Sequence, residues 1–185
     1  MSELVLPPYQ PSSTDGELLP VVDSEDRVYG ALPRKQVHRR QLMHRAVHIV
    51  VVNAKGEVLL QQRSARKDSH PGWWDISVGG HVDVGESYDE AATRELREEL
   101  GTSGQFREVA KRTPAGENGW EFVRVYECQH EGPFAPNTDE IDAVRWVPAH
   151  LLLTQFSPSS TDHETRITAS GLEGIRLWAK ATGRA

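Results

Sequence analysis

GGHVDVGESYDEAATRELREELGT, from Gly79 to Thr102, is a glycine-rich loop that opens directly into a stretch of helical character. Ser87 followed three residues later by Glu90 predicts a capping box, which starts the helix and turns free backbone N–H groups toward the preceding loop, where anions are favoured. At about 100° of rotation per residue, Glu98 and Glu99 lie about 60° and 40° either side of Glu95, so the three acids share a face. Tyr88, Ala91, Ala92, Leu96 and Leu100 fall on an arc that overlaps this face, while Glu90, Thr93, Arg94 and Arg97 point away. The acids therefore crowd the side that turns to the core.

Helices of soluble proteins turn their charges to water, and clustered carboxylates repel one another and resist desolvation. A hard divalent cation compensates directly, because Mg²⁺ takes oxygen ligands from a few carboxylates and keeps positions open for water and phosphate. The competing reading is a solvated helix decorated with i,i+4 pairs such as Glu90 with Arg94. The wider spacing decides against it. Gly80, five residues, Glu86, seven residues, then Arg94-Glu95-Leu96-Arg97-Glu98-Glu99-Leu100-Gly101 fills every fixed position of Gx5Ex7REUxEExGU, where U is aliphatic. The stretch resembles the Nudix box. Thr102 alone departs, standing where the family usually has an aliphatic residue.

The resemblance implies roles residue by residue. Glu86 and Arg94 match positions that pair to fasten loop to helix, and with Gly101 they are structural. Glu98 and Glu99 match metal ligands, with the Gly80 carbonyl as a further oxygen. Glu95 matches the position that either binds metal or takes the proton from the attacking water. The implied cofactor is Mg²⁺, with Mn²⁺ as substitute, and the implied fold is α/β: an α/β/α sandwich around a mixed β-sheet.

The rest of the sequence agrees with that fold independently. Ala46–Val52 and Glu57–Gln62 are strand-like runs joined by Asn53-Ala54-Lys55-Gly56, a hairpin turn. Trp120–Cys128 and Ile141–Val147 are two further strand-like segments. A tail helix is expected from Glu164 to Ala181, with Leu172, Ile175, Trp178 and Ala179 recurring at core-facing intervals. At 185 residues and 37% hydrophobic, the chain has the size of one domain. Residues 1–18, rich in Pro, Ser and Thr, are expected to be a flexible arm ahead of a domain over 19–185. The sequence shows neither a secretory pattern nor a membrane-length apolar run. Together with a single cysteine, Cys128, this leads to the expectation of a cytoplasmic protein. A net charge of -6 argues against a nucleic-acid polymer as partner, and there is no GxxxxGK[ST] loop. A homodimer is the default oligomer.

Over Leu19 to Pro158 the chain is similar to the isopentenyl-diphosphate isomerase branch of the Nudix superfamily, through HRAVHIVVVN, LLQQRSARKDSHPGWW, the box and a later FSP. That similarity implies that Arg63 and Lys67 hold diphosphate. It also places His44, His81 and Glu121, with His38 one residue out of step, near metal-binding positions of the isomerase; His44 and His81 are candidates for substrate contact as well. The isomerase needs a cysteine in a Cys-Gly-His run, and here the run is Gly79-Gly80-His81. The leading expectation is therefore a hydrolase that cleaves a small-molecule diphosphate, such as a nucleoside diphosphate linked to a group X, by attack of water on phosphorus. An isomerase-like enzyme and a nucleotide-diphosphate binding module are the alternatives. Trp73, Trp74, Trp120 and Phe156 lie beside the motifs, as stacking surfaces or as core. His48, alternating inside a strand, is assigned no role.

Overall fold

Alternation along one strand sets the architecture. In the computed structural model, which describes residues 16–114 and 120–184, the strand β3 (His44–Val52) runs through the middle of a seven-stranded mixed sheet. Val47, Ile49 and Val51 point to one face and Ala46, Val50 and Val52 to the other, each set buried in its own apolar cluster. A strand covered on both faces must be apolar at successive positions, and Ile49–Val52 is.

The N-terminal hairpin, β1 (Leu18–Val22) with β2 (Val28–Pro33), leads into the short helix α1 (Arg34–Arg39). Leu19, Val21, Leu32 and Val37 close a small core of their own. The chain then enters β3 and turns into β4 (Glu57–Arg63). Next come β5 (Trp74–Asp75), β6 (Val78–His81), the helix α2 (Tyr88–Leu100), β7 (Phe106–Arg112), β8 (Glu121–Gln129), β9 (Ile141–Pro148), α3 (Ala149–Gln155) and α4 (Ala169–Thr182). β3 pairs parallel with β8 and antiparallel with β6, whereas β4 pairs antiparallel with β5 and β9. Helix α2 covers one face of the sheet and α3 with α4 the other, the sandwich that the sequence led us to expect.

The expected hairpin is present, and it is confined to its turn. Asn53 Oδ1 accepts from the N–H groups of Lys55 and Glu57, and Gly56 adopts φ 77°. Val52 and Val58 are the one register pair between β3 and β4. Beyond it the strands part. Ser77 spans the start of the gap, accepting from Val51 N and donating to Leu59 O. This parting opens the sheet into the cleft that holds the site.

Helix α2 begins at Ser87 as expected, with both bonds of the capping box formed. The tail helix starts later than expected, because Thr168 caps Gly171 N, residues 163–165 form a turn, and Arg166 and Ile167 bridge Ser157 and Trp74. Its Leu172, Ile175, Trp178 and Ala179 are core, as their spacing indicated. Leu18 opens β1, and residues 1–15 of the expected arm lie outside the described residues. Among the described residues no helix is long and apolar enough to cross a membrane.

Candidate active site in the parted sheet

Gly80 lines a cleft of about 1220 Å³ that runs between the two halves of the sheet. A Cβ at this position would lie 2.0 Å from Glu95 Oε1, so only glycine lets the carboxylate come against the β6 backbone. Glu95 is held there by Arg94, whose NH1 donates to Oε1 at 2.7 Å. Burial pushes the Glu95 pKa up, against the pull of Arg94.

Glu99 is deeper, with 8% of its surface exposed. Gln61 Nε2 donates to it at 2.9 Å. Gln61 sits two residues beyond Leu59 on β4, so it continues the strand face that meets α2. Burial, then the charge of Glu95, raise the Glu99 pKa to about 8. Glu98 is at the solvent rim, 3.3 Å from Arg94 NH1. The three acids thus descend from rim to interior, and two of them resist ionisation unless a cation joins them. The Gly80 carbonyl, the Glu95 carboxylate beside the Gly80 Cα and two further carboxylates form an oxygen donor set that fits Mg²⁺ or Mn²⁺.

Helical rotation directs Arg94 away from the acids, but its long side chain folds back. It forms a paired contact with Glu86, Nε to Oε1 at 3.0 Å and NH2 to Oε2 at 2.9 Å, and NH2 also donates to the carbonyl of His81. Glu86 Oε2 accepts from Asp83 N as well. The loop is therefore tied to the helix, and the bonds with Glu86 lead in raising the Arg94 pKa. Gly101 closes α2 at φ 62°, and a Cβ there would meet the Ala135 carbonyl at 2.6 Å. Thr102, the one departure from the box, makes a polar contact of 3.0 Å with His130 Nε2, which takes the place of aliphatic packing.

Arg63 and Lys67 both line the cleft, and each is already held. Arg63 reaches Asp75 at 3.3 Å and donates to the Ser69 carbonyl, while Lys67 is paired with Glu140. Arg34, from α1, also faces the cleft.

His38, His44 and His81 bring ligand atoms within 4.8 Å of one another. His44 Nδ1 donates to the Leu42 carbonyl at 2.8 Å, which leaves its buried Nε2 without a hydrogen bond, 3.5 Å from Glu121 Oε1. A metal-ligating imidazole has this arrangement, one nitrogen fixed by a backbone carbonyl and the other free. Burial, reinforced by the neighbouring imidazoles, lowers the His38 pKa to about 4, so near neutral pH its ring keeps a lone pair. Burial would raise the Glu121 pKa, but the facing ring of His44 and the other nearby imidazoles bring it down to about 2.

Of the four aromatics, Trp74 and Phe156 are buried and share Arg145 as a cation partner, and Arg166 lies over Trp73. Trp120 is 37% exposed and lines the cleft. His48, assigned no role from its strand position, also lines it, as do Asp75, Glu140 and Ser170. The signal that could have marked Gln61 and His48 is a polar side chain at an inward position of a strand.

The profile of the NUDIX domain matches residues 42–166. A Nudix hydrolase of Yersinia pestis is 38% identical over 174 residues, covering 88% of this chain and 85% of that protein. One from Streptomyces coelicolor is 36% identical over 180 residues, covering 93% and 94%. The crystal structure of DR0079 from Deinococcus radiodurans superposes with a TM-score of 0.76 at 29% identity, over 86% of this chain and 98% of that one.

Proposed function

The chain belongs to the Nudix family and is a Nudix hydrolase, and from that premise we propose that it cleaves the diphosphate linkage of a nucleoside diphosphate-X or related organic diphosphate. In this reading Mg²⁺, or Mn²⁺ in its place, is held by Glu95, Glu98, Glu99 and the carbonyl of Gly80. The observation that carries it is the pressing of Glu95 onto Gly80 beside a buried Glu99 that accepts from an amide and not from a cation. When bound, the ion neutralises phosphate charge and makes phosphorus more open to attack.

The chain's own residues supply the rest. Glu95, with its raised pKa, accepts the proton of the attacking water. Arg63 and Lys67 exchange Asp75 and Glu140 for phosphate oxygens and steady the leaving group. Glu86 and Arg94 keep the loop, and so the Gly80 carbonyl, in place. A cytoplasmic setting, to which the buried, unpaired Cys128 is suited, and a homodimer belong to the same proposal. The test is phosphate release from a panel of organic diphosphates with Mg²⁺ and Mn²⁺, for the wild type and Glu98→Gln. Loss of orders of magnitude in the variant with an intact fold supports the reading; equal rates would move the metal elsewhere.

The histidine cluster favours descent from the isomerase-like branch, with His44, His81, His38 and Glu121 holding a second ion or touching substrate. Carbon protonation has no thiol to use here: Gly79 stands at the cysteine position, and Cys128 is packed on the α2 face, its pKa raised by burial. Deuterium uptake from heavy water into isopentenyl diphosphate would establish the isomerase instead. A pure binding module would show no metal-dependent turnover of any diphosphate.

A further inference from the structure

Gly79 and Gly80 are neighbours on β6 with opposite outlooks. Gly80 faces Glu95, while Gly79 faces the ring of His48, directly across in the ladder with β3. Consecutive strand residues point to opposite faces, so the β6 backbone itself lies between the acidic centre and a second compartment that reaches the N-terminus of α4.

His48 is only 7% exposed. Gly174, in the interior of α4, admits it: a Cβ there would lie 2.5 Å from His48 Nδ1. Helix α4 thus carries a helix-weakening glycine against this ring. The ring's Nδ1 is buried with no partner, and its Nε2 lies 3.4 Å from Ser170 Oγ. A buried N–H without an acceptor is rarer than a buried lone pair without a donor. The proton therefore belongs on Nε2, donated to Ser170 Oγ, which leaves the serine O–H to point outward as a donor.

Ser170 is part-exposed in the cleft on the first turn of α4, where backbone N–H groups lack intrahelical acceptors. Close by, Asp75 accepts from Thr168 and Ile76 N, and Arg112 bridges Glu121 and Glu173. The compartment thus offers donors to oxygen and a partly exposed indole, Trp120, along its wall. A hydrocarbon chain would strip these groups of water and return nothing.

Building on the hydrolase reading, we propose that Ser170, oriented by His48, is a specificity-determining residue that holds an oxygen-rich organic group X, a sugar or similar polyol, and disfavours an isoprenoid chain.

The experiment measures Mg²⁺-dependent turnover of UDP-glucose and ADP-ribose against isopentenyl and geranyl diphosphates. The wild type is expected to prefer the sugar compounds. Ser170→Ala should raise their KM about threefold to tenfold, the worth of one net hydrogen bond, with a smaller change in kcat, and Ser170→Thr should restore it. His48→Gln, which keeps a donor, should lie nearer the wild type than His48→Leu in KM. Preference for the isoprenoids, or an unaltered KM in Ser170→Ala, would overturn this inference while leaving hydrolysis standing. No turnover of any of these compounds, nor of a wider diphosphate panel, would instead overturn the hydrolase reading on which it rests.

Discussion

Replacing Gly80 by alanine tests the site at its tightest point. The new methyl would sit 2.0 Å from Glu95 Oε1 and 2.1 Å from its Cδ, and ordinary contact begins near 3.4 Å, so the carboxylate must retreat by about 1.4 Å. Retreat is resisted by the 2.7 Å bond from Arg94 and by burial of the Glu95 side chain. Displacing a reacting group by about 1 Å can cost about 100-fold, roughly 2.7 kcal/mol of barrier. Gly80→Ala should therefore lower kcat by about two orders of magnitude. The fold should survive, since Gly80 has strand geometry and pairs with Val47 in an unbroken ladder. Gly79→Ala is the matched comparison: its methyl meets His48 at 3.4 Å, a contact that needs little movement. The assay is metal-dependent phosphate release beside thermal melting, for both variants. A Gly80→Ala protein that turns over within threefold of the wild type would refute the assignment of Glu95 to the chemistry.

Mg²⁺ or Mn²⁺ should raise the melting temperature, because binding to the native state relieves the crowding of Glu95 and Glu99; Glu99→Gln should lose most of that rise, as read by scanning fluorimetry. Trp178 Nε1 donates to buried Glu127 at 2.7 Å, so Trp178→Phe should destabilise the fold by about 1.5–3 kcal/mol in urea titrations. Burial would lift the Glu86 pKa, but Arg94 and Asp83 N hold it below the ordinary 4.5. Its stabilisation is then present above that value and lost as pH falls through the lower folded-state pKa, so Glu86→Gln should make stability depend less on pH between about 5 and 3 in acid unfolding curves. Cys128, buried with a raised pKa, should resist alkylation in the native protein and react on unfolding, as mass spectrometry would show.

Where local chemistry and tertiary structure agree, the sequence was readable. Ser87 and Glu90 cap α2 as their spacing requires, and the apolar stripe of α4 packs where its period places it. The box acids were legible because a buried Glu99 contradicts the pattern of a surface helix. The counter-charges were not. Arg94 folds back against its helical direction, and Lys67 finds Glu140 across a loop, contacts that no periodicity encodes. Strands β5 and β6 are short and owe their state to neighbours, and the start of α4 depends on Asp75 accepting from Thr168, 93 residues away. His48 looked like one more alternating strand residue, and only the glycine of a distant helix reveals the space made for it.

Because β3 and β4 separate after one register pair, the sheet has two jaws joined through the turn Asn53–Gly56 and bridged by Ser77. Helix α2 straddles the mouth, with Glu95 against β6 on one jaw and Glu99 bonded to β4 on the other. Aperture and cutting edge are thereby set by separate stretches of chain. Changes in the joining turn or in the far wall at α4 can resize the opening for a different cargo while the acidic helix keeps its grip.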